Sequence, residues 1–303
     1  MKKILISIAL LCSAVAAQAQ QLQVATGRAG DTYSTMLKQL GARCNAGVQL
    51  TEQNSGGSND NINLLVGNQV NAAFVQSDVL WLRSRTEDLA SVKTLIALHP
   101  EQVHIVARAA SGLKEGGVMG TKYGGSEVVF SDLGQMSGRR IGAAGGSMVT
   151  AQVIRLQSEI PFNVMPFDTG KDALAALDKG EVEAAIFVGG APLGTVAALG
   201  PQYKLLSIPA PVVEKLKGVY RPARLNYQKM GSTGVATVSV DALFVTREYK
   251  TAKMVEGLSK LRACAATSID ELKETTGTHP AWMNVDPANR GKWAYYELPT
   301  AKK

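Results

Sequence analysis

The sequence predicts an α/β protein of two lobes that enclose a cleft. The first observation is a repeat: residues 69–78 and 181–190 each follow a helix-like stretch, contain an Ala-Ala pair in an apolar run, and end in small or polar residues. Such runs are typical of buried parallel strands, and ligands bind beyond the carboxyl ends of these strands in open α/β sheets. The second observation is length, since 303 residues exceed one typical domain and suit two. No low-complexity linker divides the chain, so we expect interleaved lobes.

The first 19 residues have the features of a cleaved signal peptide. Two lysines precede an apolar run at residues 4–16, and residues 17–19 form a small-x-small cleavage site. The alternative is a retained membrane anchor, which the shortness of the run disfavours. We therefore expect an exported, periplasmic protein that is cleaved near Ala19.

Composition disfavours nucleic acid as a partner. The formal net charge of +7 at pH 7 becomes +5 when the two lysines of the leader are removed. The basic residues are scattered. They form neither a basic tract nor the alternation of basic and aromatic residues that is typical of nucleic-acid-binding proteins. The mild positive charge of the exported protein favours small anionic ligands, and a role in solubility alone is the alternative.

Two cysteines, Cys44 and Cys264, remain after the leader is removed. An oxidising compartment favours a disulfide between them, which would join the C-terminal region to the first helix. Two buried free thiols are an equally open alternative.

Short apolar or alternating runs bounded by turn residues predict the strands of the first part of the chain. In order these are residues 21–26, 48–53, the first repeat, 95–100 and 102–108. Apolar residues at helical spacing predict helices between them, at residues 34–42 and 60–67. The strand at 102–108 is a candidate crossing between lobes.

The middle of the chain begins with a Gly-rich stretch, residues 114–130, whose lack of periodicity predicts a surface hairpin or flap. A strand and a glycine turn then lead into a helix, and a second strand–helix pair precedes the second repeat. The predicted ranges are strands at 140–144 and 162–167 and helices at 149–158 and 171–179.

The last part of the chain is predicted to return to the first lobe. A strand at 204–208 is followed by a proline-containing stretch of weak periodicity, residues 209–227. Residues 235–246 alternate well and are the candidate return crossing. Two helices, at 250–263 and 269–276, precede an aromatic tail that we expect to pack across a lobe.

No motif indicates catalysis or a metal site. The three histidines lack a partner at metal-ligand spacing, and no His-Glu-x-x-His, paired-cysteine, Gly-x-Ser-x-Gly or phosphate-loop pattern occurs. The predicted strands end in amides, hydroxyls and glycines. We therefore expect a protein that binds a ligand rather than converts it, with no cofactor and no metal.

The sharpest local feature is Gly145-Gly146-Ser147, which precedes a predicted helix. Glycines let backbone N–H groups converge, and a helix N-terminus carries partial positive charge, so this turn can hold a carboxylate. Residues 54–59 have the same character, and Arg28 is the cation best placed for an anion. A tight turn without a ligand is the alternative.

Polar residues end the first repeat and precede the first helix. Gln76 can donate to and accept from a polar ligand, whereas Asp78 is expected to cap the following helix. Tyr33 can offer a ring wall and a hydroxyl, and an ordinary tyrosine at the edge of the core is its alternative.

Several segments occur in an order that resembles one family. They are Gly27-Arg-Ala-Gly-Asp-Thr-Tyr33, Gly56-Gly-Ser-x-x-Asn-Ile-x-Leu-Leu, Val75-Gln-Ser-Asp-Val79, Pro100-Glu-x-Val-His-Ile-Val and Phe187-Val-Gly-Gly-Ala-Pro192. This set resembles the TAXI family of TRAP-transporter solute-binding proteins over most of the mature chain.

The resemblance implies a type II periplasmic-binding-protein fold whose interleaved lobes are joined by hinge strands. Lobe 1 would comprise residues 20–107 and 236–303, and lobe 2 residues 108–235. The lobes of a monomer would close on a small organic anion or amino acid and pass it to the membrane permease of a TRAP transporter. Carried over residue by residue, the pocket would draw on Thr26, Tyr33, Gly56, Ser58, Gln76, Ser77, Ser147, Phe187, Gly189 and Gly190. To these the residue patterns add Arg28 and Gly146.

The sequence departs from the family pattern in three places. The run after Gly30 lacks the second tyrosine and the proline that the family has there. At the helix of the second lobe, Met148 and Val149 replace polar residues of the family, so glutamate is not assumed as the ligand. Residues 114–130 resemble an insertion, which would cover the cleft or dock a partner.

Two alternative functions remain. One is a sensory protein of the same fold without a transporter, and the other is an exported enzyme.

Overall fold

The computed structural model describes residues 20–117, 124–286, 288–289 and 291–297. The predicted leader, with its cleavage site near Ala19, lies outside the described residues, and so do residues 118–123 of the Gly-rich segment. Within the described residues, no helix is long and apolar enough to cross a membrane.

Strands and helices alternate along much of the chain. The strands are β1 (Gln20–Ala25), β2 (Val48–Gln53), β3 (Ala72–Gln76), β4 (Val92–Arg108), β5 (Lys114–Glu115), β6 (Ser126–Glu127), β7 (Arg140–Ala144), β8 (Asn163–Phe167), β9 (Ala184–Gly189), β10 (Tyr203–Leu205), β11 (Arg221–Tyr227) and β12 (Ser232–Arg247). The helices are α1 (Thr32–Cys44), α2 (Ser58–Val66), α3 (Ser77–Arg83), α4 (Gly146–Ser158), α5 (Gly170–Lys179), α6 (Gly194–Ala197), α7 (Ala210–Leu216) and α8 (Ala252–Glu274).

The long strands β4 and β12 lie side by side and join two parallel groups of strands. The order in the sheet is β2-β1-β3-β12-β4-β9-β7-β8. Strands β1, β2 and β3, here called the first half-sheet, are parallel, and so are β7, β8 and β9, the second half-sheet. β12 is antiparallel to β3 and β4, and β4 is antiparallel to β9. The predicted α/β fold class is confirmed.

The two sequence repeats form β3 and β9, which occupy equivalent positions. Each is the strand of its half-sheet that lies next to the long pair, and each is parallel to the strand that opens its half-sheet. All five residues of β3 are buried, as are five of the six residues of β9. Burial on both faces explains why both runs are apolar without alternation.

Helix α5 shows how local sequence positions one edge of the second half-sheet. Thr169 is the N-cap, and its hydroxyl accepts a bond from the backbone N–H of Asp172 at 3.1 Å. The helix ends at Gly180, which adopts a left-handed conformation. Ala173 and Leu177 are fully buried, and burial of a leucine side chain contributes about 2 kcal/mol. The cap therefore fixes residues 168–171 just beyond the end of β8.

Two pairs of predicted elements are single elements in the structure. Residues 95–100 and 102–108 belong to the one strand β4, because Pro100 faces Asp241 of β12 where the strand register shifts, and an irregular position tolerates the missing N–H. The two predicted C-terminal helices form the one helix α8, because residues 264–268 between them contain no glycine or proline.

The proline-containing stretch at 209–227 contains regular structure that weak periodicity concealed. Pro209 is the N-cap of α7 and Pro211 lies in its first turn, where proline costs the helix no hydrogen bond. Strand β11 follows and pairs with β12.

The C-terminal region returns to the first half-sheet, as predicted. Cys44, the last residue of α1, forms a disulfide with Cys264 of α8, with a Cα–Cα distance of 5.7 Å. The disulfide alternative is therefore confirmed over free thiols. The aromatic tail packs against α1. Trp282 is 1% exposed, and its indole N–H donates to Oε1 of Gln39 in that helix at 2.8 Å.

Candidate functional site

A cavity of about 410 Å³ lies between the two half-sheets. Most of its lining comes from the loops and helix starts beyond the carboxyl ends of β1, β2, β3, β7, β8 and β9, which is where open α/β sheets bind ligands. The lining residues are Gly27, Arg28, Asp31, Thr32, Tyr33, Gly56, Gly57, Ser58, Gln76, Glu101, Ala144, Gly145, Gly146, Ser147, Asp168, Thr169, Gly170, Lys171, Phe187, Val188, Gly189, Leu193 and Thr195.

The wall on the side of the first half-sheet combines glycines with donors and acceptors. Arg28 follows β1, Tyr33 belongs to α1, and Gln76 ends β3. Residues 56–58 lead from β2 into α2, so the N-terminus of α2 faces the cavity. Ser58 accepts a bond on Oγ from the backbone N–H of Gln76 at 3.0 Å, which ties the α2 turn to the end of β3.

The wall on the side of the second half-sheet has the same construction. Gly145 follows β7, and α4 starts at Gly146 without a side-chain cap, so Gly146 and Ser147 of its first turn lie at the cavity. Ser147 Oγ accepts a bond from the backbone N–H of Val188 at 3.1 Å, which ties this turn to β9. Phe187 supplies an apolar side. The two helix N-termini give both walls partial positive charge.

The two walls touch one another. The guanidinium of Arg28 donates from Nη2 to the carbonyl oxygen of Asp168 at 2.6 Å. Gly145 has φ 53° and ψ −131°, and a Cβ added there would lie 3.0 Å from the carbonyl oxygen of Gly56 on the opposite wall. Glycine is required at position 145 both for the backbone angles and for the close approach.

Gln76 lies between the two walls and bonds to Glu101, and these two buried residues are here called the floor of the cavity. Gln76 is 5% exposed, and its amide nitrogen Nε2 donates to Glu101 Oε2 at 2.9 Å. Its amide oxygen Oε1 is turned toward Gly146, where an added Cβ would overlap it, and is buried without a hydrogen-bond partner in the described part of the chain.

Glu101 is a cavity residue that the sequence reasoning did not select. It lies in β4 next to Pro100, is 5% exposed, and lines the cavity beside Gln76. Burial, followed by the negative charge of Glu101, raises the pKa of Tyr33 well above its usual value. The available signal was its place in the Pro-Glu segment at residues 100–101, since an acid inside an otherwise apolar strand is rarely buried without a reason.

Nine of the twelve residues that the sequence singled out lie in the lining: Arg28, Tyr33, Gly56, Ser58, Gln76, Gly146, Ser147, Phe187 and Gly189. The other three lie just outside it. Thr26 is fully buried and donates to Glu52, Ser77 Oγ accepts from the backbone of β12, and Gly190 packs against the ring of His99. That the nine bind a ligand stays a prediction.

Asp78 does not cap α3, contrary to the sequence expectation. The helix starts at Ser77 with Gln76 as its N-cap, two residues before the expected cap, so Asp78 lies inside the helix and its side chain turns inward. Its Oδ2 accepts bonds from the hydroxyls of Thr150 at 2.6 Å and Tyr220 at 2.8 Å. Burial raises the pKa of Asp78 to about 6, although the two hydroxyl bonds favour the charged form. The carboxylate thus joins α3 to α4 behind the cavity.

The Gly-rich segment forms a hairpin in its described part, where β5 and β6 pair in antiparallel fashion. Neither 114–117 nor 124–130 contributes to the cavity lining. In the described part of the chain, no group of three or more histidine, cysteine, aspartate or glutamate side chains is arranged to hold a metal ion.

Comparison with known proteins matches the chain to one family and to several solved structures. The model of the NMT1-like family matches residues 24–281. Tv2483 bound to L-arginine has a TM-score of 0.55 at 12% identity, over 88% of this chain and 92% of that one. An arginine-specific periplasmic binding protein of Salmonella typhimurium has a TM-score of 0.52 at 13% identity, over 88% and 99%.

A third similar structure is the substrate-binding protein of an amino acid ABC transporter, with a TM-score of 0.50 at 11% identity, over 84% of this chain and 97% of that one. At such identities the similarity shows the fold alone, which is that of two-lobed solute-binding proteins.

Proposed function

The chain belongs to the NMT1-like family, and we propose that it is an exported solute-binding protein that encloses a small organic solute between two lobes. Lobe 1 comprises residues 20–107 and 236–303, and lobe 2 residues 108–235, so that β4 and β12 act as hinge strands. The observation that carries the proposal is the cavity of about 410 Å³, whose two walls consist of strand ends and helix N-termini. The contact between Arg28 and the Asp168 carbonyl then belongs to the closed form.

The solute is a small carboxylate-bearing compound or an amino acid. The N-termini of α2 and α4, which no side chain of the described residues caps, offer backbone N–H groups and partial positive charge to an anion. Arg28 and Lys171 offer two positive side chains at the exposed rim, beside the carboxylates of Asp31 and Asp168, which also line it. Solved proteins of the same fold bind L-arginine, which is compatible with a small polar solute.

The partner is the membrane permease of a TRAP-type transporter, to which the monomeric protein delivers the solute unchanged. The neighbouring genes test this assignment: a TRAP-type permease gene beside this one would support it, whereas a histidine kinase gene there would favour sensing. An ATP-binding subunit in the same position redirects the assignment to an ABC transporter. Mass spectrometry of a released ligand distinguishes binding from turnover, because only an enzyme changes the mass of the ligand.

Ligand binding is expected to make the protein more compact. A thermal-shift screen of amino acids and carboxylates identifies a binding compound, and small-angle X-ray scattering then compares the free protein with the saturated protein. Hinge closure shifts the population toward the closed form, so the radius of gyration should fall on saturation. Identical scattering curves for free and saturated protein would contradict the clamp mechanism.

Substitution Gln76→Ala is expected to weaken binding of that compound about tenfold, since one or two buried hydrogen bonds at the cavity are lost. Isothermal titration calorimetry measures the affinity, and thermal melting confirms that the variant is folded. Gln152→Ala, on the exposed face of α4, is the matched control and should bind like the unchanged protein. Equal affinity of the Gln76→Ala variant and the unchanged protein would remove Gln76 from the site.

A further inference from the structure

We propose that the ligand carries a cationic nitrogen, as an ammonium or guanidinium group, and that Glu101 and Gln76 receive it at the floor of the cavity. The inference rests on the proposed function, because it assumes that the cavity encloses a solute. It narrows the ligand from carboxylate-bearing compounds in general to those that also carry a positive charge, such as amino acids.

The first ground is the unbalanced charge of Glu101. Its carboxylate is 5% exposed and lines the cavity. Among the described residues it forms no ion pair with a lysine or arginine. Its neighbours are the amide of Gln76, the hydroxyl of Tyr33 and the ring of His99, whose Nε2 lies 3.4 Å from Oε1. A neutral amide leaves the charge uncompensated, and His99 supplies positive charge only when it is protonated. A buried carboxylate without a counter-charge is costly, and a ligand cation offsets that cost.

The second ground is an excess of acceptors at the same place. The bond from Gln76 Nε2 to Glu101 fixes the orientation of the amide, since the flipped amide would place two oxygen acceptors against each other. Gln76 Oε1 therefore turns toward the cavity wall at Gly146, buried and without a donor in the described residues. An ammonium group brings three N–H donors, whereas a carboxylate at neutral pH brings none.

The third ground is the distribution of charge along the cavity. The exposed rim of the lining carries two cations, Arg28 and Lys171, and two acids, Asp31 and Asp168, so the formal charges there cancel. The helix N-termini give the sides partial positive charge, and the buried carboxylate of the lining is that of Glu101. The cavity is thus weakly positive at its sides and negative at its floor, which complements a zwitterion whose cationic end lies deepest.

The experiment compares the affinities of matched pairs of compounds that differ by one amino group. The pairs are L-glutamate with glutarate, L-alanine with propionate, and L-norleucine with hexanoate. Calorimetry is performed on the unchanged protein, on Glu101→Gln, which keeps the size and hydrogen bonding of the side chain, and on Glu52→Gln. Glu52 is a partly buried acid in β2 of the first half-sheet, and it bonds to Thr26 and Lys38 outside the lining. It therefore controls for the loss of one negative charge.

For at least one pair, the amino compound should bind the unchanged protein tenfold or more tightly than its deaminated partner, as expected for a desolvated charge pair. In Glu101→Gln this preference should shrink by about tenfold, and in Glu52→Gln it should stay. If in every pair that binds the plain carboxylate binds as tightly as its amino partner, the inference is overturned and the proposed function stands. The preference measured on the unchanged protein decides the question even where a variant folds poorly. If no amino acid or carboxylate binds and scattering shows no compaction, the proposed function fails together with the inference.

Discussion

Alanine in place of Gly145 is expected to weaken ligand binding at least tenfold and to hold the protein in an open form. The backbone angles of Gly145, φ 53° and ψ −131°, lie in a region that costs an L-residue roughly 1–3 kcal/mol. The added Cβ would also lie 3.0 Å from the carbonyl oxygen of Gly56, a backbone atom of the opposite wall that cannot move aside as a flexible side chain can. Opening the cleft separates the added Cβ from the Gly56 carbonyl oxygen. The substitution therefore makes the closed form less stable relative to the open form.

Gly231→Ala is the matched control for this prediction. Gly231 also has a positive φ, 63°, but an added Cβ there meets no atom within 4 Å. We expect this variant to lose about 1–2 kcal/mol of folding stability and to bind ligand normally. Calorimetry gives the affinities and scattering gives the compaction. If both variants bind with the affinity of the unchanged protein, the glycine contact between the walls plays no part in closure.

Removal of the disulfide by the double substitution Cys44→Ala and Cys264→Ala is expected to lower the free energy of unfolding by about 3–5 kcal/mol. The bridge joins residues 220 positions apart, and the chain entropy that a cross-link removes from the unfolded state grows with the length of the closed loop. Cys44 is buried, and the deletion of its sulfur adds a small loss of packing between α1 and α8.

Equilibrium unfolding in urea, monitored by circular dichroism, measures this loss. The unchanged protein under reducing conditions is the control, and its stability should move toward that of the double variant. Ligand affinity should change little, because the cavity is lined by the first turn of α1 whereas the bridge lies at the last residue of that helix. Equal stability of the oxidised protein and the double variant would contradict the entropic argument.

Local signals in the sequence predicted most elements of the fold. Strands β2 and β7 have the bounds that were expected, because turn residues flank both runs. The strand–turn–helix unit at Gly145 and the polar ends of β3 and β9 located most of the cavity, since the carboxyl ends of parallel strands meet at one edge of the sheet.

The features that escaped prediction depend on contacts between distant parts of the chain. Asp78 was expected to cap a helix because that is the local use of aspartate after a strand, yet its bonding partners Thr150 and Tyr220 lie 72 and 142 residues away. Glu101 resembles an exposed strand residue until β12 and Gln76 are folded against it. The side-chain environment, and with it the site chemistry, follows from long-range packing that periodicity does not report.

The position of β12 has a consequence for the order in which the molecule is completed during synthesis. Strand β3 pairs with β1 on one side and with β12 on the other, so its second edge stays unpaired until residues 232–247 have emerged. Strand β9, in contrast, finds its partners β4 and β7 already synthesised. The part of the protein made first therefore acquires its native neighbours last. Until then the nascent chain carries an unpaired apolar strand edge, the kind of surface on which newly made proteins aggregate and which chaperones shield.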